Sequence, residues 1–140
     1  MIEFKYNDGG RANAGFKGTA GDCVCRSIAI ATEKSYKDVY HELSAILKSS
    51  KWNISSPRDG VYRDVYQSYL ESLGWKWISV MGFGTGCKVH LNAEELPKGR
   101  LVVRLSKHLT AVIDGVINDV YDPSRNGTRC VYGYFVKVEG

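Results

Sequence analysis

The sequence predicts an α+β fold in which N-terminal helices, one of them buried and cysteine-bearing, pack on a C-terminal antiparallel sheet. Three observations carry this expectation. Apolar residues recur at helical spacing through the first half of the chain. From Trp75 onward the apolar runs become short, alternating and separated by turns. Between two of those runs stands Asp114-Gly115, a two-residue pair of the kind that favours a type I′ hairpin turn. At 140 residues the chain is expected to form one domain, 1–140, large enough to bury a real core, and no repeat or linker divides it.

Each element follows from local chemistry. Residues 5–22 are rich in Gly, Asn, Ala and Asp, with Asn7-Asp8-Gly9-Gly10 as a turn signal, and read as a loop. Asp22 is a good N-cap and places Cys23 on the first helical turn. Residues 24–31 are apolar on most sides, interrupted by Arg26 and Ser27, so this helix belongs inside the fold. Ser35 caps a second helix carrying Tyr36, Val39, Tyr40, Leu43, Ile46 and Leu47. The polar stretch 51–60, with Pro57, is a connector. A third helix over 61–73 turns Val61, Val65, Tyr69, Leu70 and Leu73 inward and stops at Gly74. Strands are expected at 75–80, 101–105, 108–113, 116–121 and 131–138.

Composition narrows the class. Apolar residues make up 44% and charged residues 24%, ordinary for a soluble globular protein. No apolar stretch is long enough to cross a bilayer, and the first residues lack the basic-then-apolar layout of a secretory signal, so a cytoplasmic protein without a membrane partner is expected. The four cysteines, Cys23, Cys25, Cys87 and Cys130, are then read as free thiols. Cys23-x-Cys25 with two remote cysteines lacks the paired knuckles of a structural zinc site, so no metal and no cofactor is expected. The net charge of +4 is spread along the chain without a basic stripe; it suits an acidic partner and argues against a nucleic-acid interface.

One constellation carries chemistry. A thiol attacks as its thiolate, and a helix N-terminus lowers its pKa, so Cys23 stands at the right address for a nucleophile; Cys25, on another side of the helix, reads as core. Taking Asp114-Gly115 as the turn pairs Ile113 with Val116, Ala111 with Asn118 and His108 with Tyr121. Asp119 then sits diagonally from His108 on the same face, while Asn118 and Asp122 point to the other. A Cys–His pair needs a third group to fix the imidazole tautomer, and pairing selects Asp119. Other features are weaker. The glycine-rich segment 82–88 fails the Walker spacing and reads as a loop bordering the cleft. His41 and Glu42 read as solvated, His90 has no partner in the pattern, and Tyr62, Tyr66, Tyr69, Trp75 and Trp77 read as core or cleft wall.

Asp22-Cys23 opening a buried helix, His108 starting a strand, and then Asp119 or the Asp122-Pro123 pair resemble the papain-like cysteine peptidase superfamily. Its compact branches, the bacteriocin-leader peptidases and NlpC-type endopeptidases, are the most similar, and 21–36 with 99–134 also look like bacterial and phage proteins of this size. The resemblance implies a papain-like fold and a thiol hydrolase acting on an amide bond of a peptide or protein. Cys23 would be the nucleophile, His108 the base and Asp119 the orienter; the leader-peptidase branch would point instead to Asp122. Papain-like enzymes usually carry a glutamine before the cysteine as an oxyanion donor, and none precedes Cys23. Asn7, Asn13, Thr19 and the Cys23 backbone N–H are the candidate replacements; loss of one such donor costs about 10²–10³ in rate. The missing glutamine keeps open a catalytically silent binding module on the same fold, and the positive charge a host-interaction or nucleic-acid-associated protein.

Overall fold

The computed structural model describes residues 3–12, 15, 23–49, 63–81 and 86–138. Among these residues lie three helices, α1 (Cys23–Thr32), α2 (Tyr36–Ser49) and α3 (Arg63–Ser72). Six strands, β1 (Glu3–Tyr6), β2 (Trp75–Ser79), β3 (Arg100–Leu105), β4 (His108–Ile113), β5 (Val116–Asp119) and β6 (Gly133–Lys137), form one sheet in the order β1-β5-β4-β3-β6-β2. The molecule is therefore α+β.

The sheet is mixed rather than wholly antiparallel. β1 lies parallel to β5, with Tyr6 opposite Asp119, at the edge of an otherwise antiparallel set. Residues 3–6 lie in a stretch the sequence reads partly as loop, because all four side chains are exposed and show no buried alternation. What holds β1 is its backbone pairing, which is non-local.

Both sheet faces are covered, which explains the nearly continuous burial along β3, β4 and β5. On one side α1 packs on β4 and β3, joining Ile28, Val39, Leu43 and Leu70 to Val102, Leu109, Ala111 and Phe135. On the other, Leu91, Leu96 and Val131 from the connecting segments meet Leu101, Val103, Leu105, Val112 and Ile117. Alternating residues of one strand thus enter opposite apolar layers.

Local signals end the elements as their chemistry requires. Ser35 Oγ accepts the Asp38 N–H at 3.1 Å, capping α2. Gly74, at φ 88°, closes α3 and turns the chain into β2. Asp114 and Gly115 have φ of 49° and 80°, the left-handed pair of a type I′ turn, and β4 and β5 pair as Ile113 with Val116 and Ala111 with Asn118. The expected cap at Asp22, the tyrosine at Tyr62 and most of the glycine-rich segment (82–85) lie outside the described residues.

Two cysteine assignments need correction. Cys25 is fully buried in the core, as expected, but Cys87 and Cys130 are not free: they are joined as a disulfide, Cα atoms 5.7 Å apart. The fold brings them together because residues 86–91 and 129–131 run side by side, with an antiparallel bridge between His90 and Cys130. Their sequence separation of 43 hides this proximity. Glu42 is not merely solvated either, since it accepts the Tyr69 hydroxyl at 2.8 Å.

Candidate active site

α1 begins at Cys23, so the thiol stands where the helix has backbone N–H groups without intrahelical partners. The side of α1 that carries it packs against β4, whose first residue is His108. The Cys23 thiol and the His108 ring share a hydrogen bond, and the Leu109 N–H also bonds the sulfur. The second ring nitrogen, Nε2, donates to Asp119 Oδ2 at 2.7 Å. With Nε2 committed to the carboxylate, Nδ1 is the nitrogen left for the thiol.

Strand register produces this arrangement. Continuing the β4–β5 pairing places Thr110 opposite Asp119 and His108 one diagonal step away on the same face. Thr110 Oγ1 accordingly donates to Asp119 Oδ2 at 2.7 Å, and the Val120 N–H donates to Oδ1 at 2.7 Å. Arg26 completes the shell, its Nη2 lying 3.5 Å from Asp119 Oδ1 with both side chains buried. Asp119 is thus a buried carboxylate with several donors and a cation, the condition under which burying such a charge is tolerable. Its backbone is fixed as well, since the Asn7 N–H donates to the Asp119 carbonyl at 2.8 Å.

The electrostatics follow from these contacts. Burial alone would raise the Cys23 pKa, but the His108 hydrogen bond and charge, the Leu109 N–H and the Arg26 charge outweigh it and hold the thiol below its ordinary value. Burial would lower the His108 pKa, yet its bonds to Asp119 and Cys23 push it up to about 9. Asp119, although buried, is held below the usual carboxylate value by His108, Thr110 and the Val120 N–H. These directions favour the thiolate–imidazolium pair over the neutral thiol and imidazole.

The alternate acid, Asp122, is elsewhere. It is exposed, and its Oδ1 accepts the Ser124 N–H at 2.9 Å, so the acid bonded to His108 is Asp119. Asp122 instead lines a cavity of about 610 Å³ that also contains His108, Lys107, Tyr121, Arg125 and Arg129. The Tyr121 ring lies 5.2 Å from that of His108, forming one wall beside the base.

Of the oxyanion candidates, Asn7 is otherwise engaged: its Nδ2 donates to Asn118 Oδ1 at 3.2 Å and its Oδ1 accepts the Gly9 N–H at 2.9 Å. Asn118 points away from the Asp119 face, so the Asn7 amide serves the loop rather than the thiol. Asn13 and Thr19 lie outside the described residues, leaving the Cys23 N–H as the candidate donor within them.

Arg26 and Thr110 belong to the site although their pattern does not single them out. A signal for Arg26 exists: it is the only charged residue in 23–32, and it stands one turn from Cys23. Thr110 follows from the same register that selects Asp119. His90, without a partner in the sequence pattern, contacts Glu95 Oε1 through Nδ1 at 3.1 Å and faces Cys130.

Comparison with protein-family models, curated proteins and solved structures finds no match to this chain.

Proposed function

We propose that this chain is a papain-like thiol hydrolase in which Cys23, His108 and Asp119 cleave an amide bond of a peptide or protein. The observation that carries the reading is the continuous contact from the Cys23 thiol through the His108 ring to Asp119, the last link being 2.7 Å. Cys23 Sγ attacks the carbonyl carbon, forming the C–S bond, and the carbonyl oxygen takes the negative charge. His108 delivers its proton to the leaving nitrogen as the C–N bond breaks, leaving a thioester. It then removes a proton from water, whose oxygen attacks the thioester and returns the thiolate. Asp119 stabilises the charged ring and keeps its tautomer.

The cavity beside His108 indicates where substrate would lie. Lys107, Arg125 and Arg129 stand against Asp122 there, so its mouth is basic and favours an acidic group near the scissile bond.

Iodoacetamide labelling at neutral pH tests the activated thiol. Cys23 should be modified faster than buried Cys25, and His108→Ala should slow that reaction. Labelling of Cys23 no faster than that of an unstructured thiol, and indifferent to His108→Ala, would overturn the proposal. The second reading, a silent binding module on the same fold, is favoured by the missing glutamine and the engaged Asn7 amide. A rapidly labelled Cys23 that forms no thioester with activated acyl esters would select it.

A further inference from the structure

Apart from Cys23 and its partners, three metal-ligating side chains converge. Cys87, His90 and Cys130 each offer one ligand atom, all within 4.8 Å of one another, with Cys87 exposed and the other two half-buried. Two independent pieces of backbone set them there. Cys87 and His90 share a Cys-x-x-His step, and the bridge between His90 and Cys130, flanked by hydrogen bonds from the Leu91 N–H to Arg129 O and from the Val131 N–H to Val89 O at 2.8 Å each, holds Cys130 opposite.

A disulfide accounts for the two sulfurs but not for the imidazole beside them. Nor does it account for Glu95, which contacts His90 Nδ1 at 3.1 Å and accepts the His90 N–H at 3.2 Å. A carboxylate behind a histidine is how metal sites fix the ring and leave its other nitrogen to the ion. Two thiolates and one imidazole are a zinc donor set, and tetrahedral ligands about 2.0–2.3 Å from the metal lie roughly 3.5–4 Å apart, a separation the bonded sulfurs can take up only when the S–S bond opens, with all three ligand atoms already within 4.8 Å of one another. We propose that, once the Cys87–Cys130 bond is reduced, Cys87, His90 and Cys130 bind one zinc-class divalent cation, with Glu95 orienting His90 and water filling the fourth position.

The chemistry balances in two steps. An external dithiol or phosphine supplies two electrons and breaks the S–S bond, the two sulfurs taking up two protons as thiols. The cation then displaces both thiol protons to solvent, so reduction and metal binding are coupled and binding releases protons. In an oxidising compartment the disulfide persists; in a reducing one the same three side chains are available to the metal. This proposal departs from the expectation of no metal, which rests on sequence spacing, because the third ligand comes from a distant segment.

The test titrates cobalt(II) and zinc(II) into the full chain after phosphine reduction and anaerobic removal of the reductant. One cobalt per chain should bind, with tetrahedral visible bands and a near-ultraviolet thiolate charge-transfer band, and zinc should displace it. Cys130→Ser and Cys87→Ser should each abolish the site, the latter at an exposed position that leaves the core intact. Glu95→Gln should weaken binding by about 10–100-fold. Cys23→Ser should leave binding unchanged, which separates this site from the proposed nucleophile. Absence of binding by the reduced chain, survival of the site in Cys130→Ser, or its loss in Cys23→Ser would overturn the proposal.

Discussion

The proposed chemistry turns on Asp119. It is accessible to 3% and takes hydrogen bonds from His108, Thr110 and the Val120 N–H while facing Arg26. Asp119→Ala leaves His108, Thr110 and Arg26 without the carboxylate they share, and it should destabilise the fold by about 3 kcal/mol or more in urea unfolding. Asp119→Asn keeps the shape and isolates the charge. The His108 pKa, now about 9, is raised by that carboxylate first and by Cys23 second. In the proposed reaction acylation requires thiolate and imidazolium together, so the rate should rise as Cys23 ionises, below the ordinary thiol value, and fall as His108 loses its proton near pH 9. Removing the raising influence moves the His108 pKa down, so the basic limb of the pH–rate profile should shift to lower pH in Asp119→Asn. A basic limb that stays in place would mean that Asp119 does not control the ring. Arg26→Met should retain the helix but raise the Cys23 pKa, read as an alkaline shift in the pH dependence of iodoacetamide labelling. These roles were partly legible in the sequence. Cys23, His108 and Asp119 follow from a helix start and a hairpin register, both local. Thr110 follows from the same register, whereas Arg26 reaches Asp119 from α1, and no one-dimensional pattern states which face of α1 meets the sheet.

Elements differ in how much of their geometry is local. The β4–β5 hairpin was readable because its turn residues carry the left-handed backbone of a type I′ turn and its strands alternate from there. The β2–β6 pair depends on a more distant fit. Gly133 lies opposite Ser79, and a Cβ there would meet the Trp77 indole and approach Ile78 O to 2.6 Å. The absent side chain lets Trp77 lie across β6 against Phe135, with ring centroids 5.0 Å apart, while the Arg63 guanidinium covers the indole at 4.7 Å. Because one of the obstructing atoms is backbone, Gly133→Ala cannot be absorbed by a rotamer change alone. It should cost about 1–3 kcal/mol, seen as a lower urea midpoint at unchanged slope. The double variant Gly133→Ala with Trp77→Leu should recover part of that loss, since the indole is the larger obstruction. Full additivity of the two changes would show that the clash lies elsewhere.

At the scale of the molecule, the sheet has apolar layers on both faces and the site draws on both: Cys23 and Arg26 come from α1, while His108, Thr110 and Asp119 share the face of Val112 and Ile117. Leu91 is fully buried in the layer away from the helices. Leu91→Ala should therefore lower stability by about 2–5 kcal/mol, read as a lower urea midpoint. The β1 edge should behave in the opposite way. Its four side chains are exposed, so it buries little, yet it pairs with all of β5 and leads to Asn7, whose N–H holds the Asp119 carbonyl. That pairing joins residues more than a hundred positions apart and brings a parallel strand to the antiparallel set, which is why the sequence showed the loop but not the strand. Deleting residues 1–7 leaves Asp119 O without this donor and turns β5 into an open edge. The shortened chain should remain folded but label Cys23 more slowly, with a basic limb shifted as in Asp119→Asn, because the carboxylate loses its backbone anchor. It should also associate in a concentration-dependent way, measured by sedimentation, since an unpaired strand edge offers its N–H and C=O groups to a second copy. Unchanged labelling in a monomeric truncated chain would show that β4 and α1 alone position the acid, and that β1 is an ornament of the sheet rather than part of the site's support.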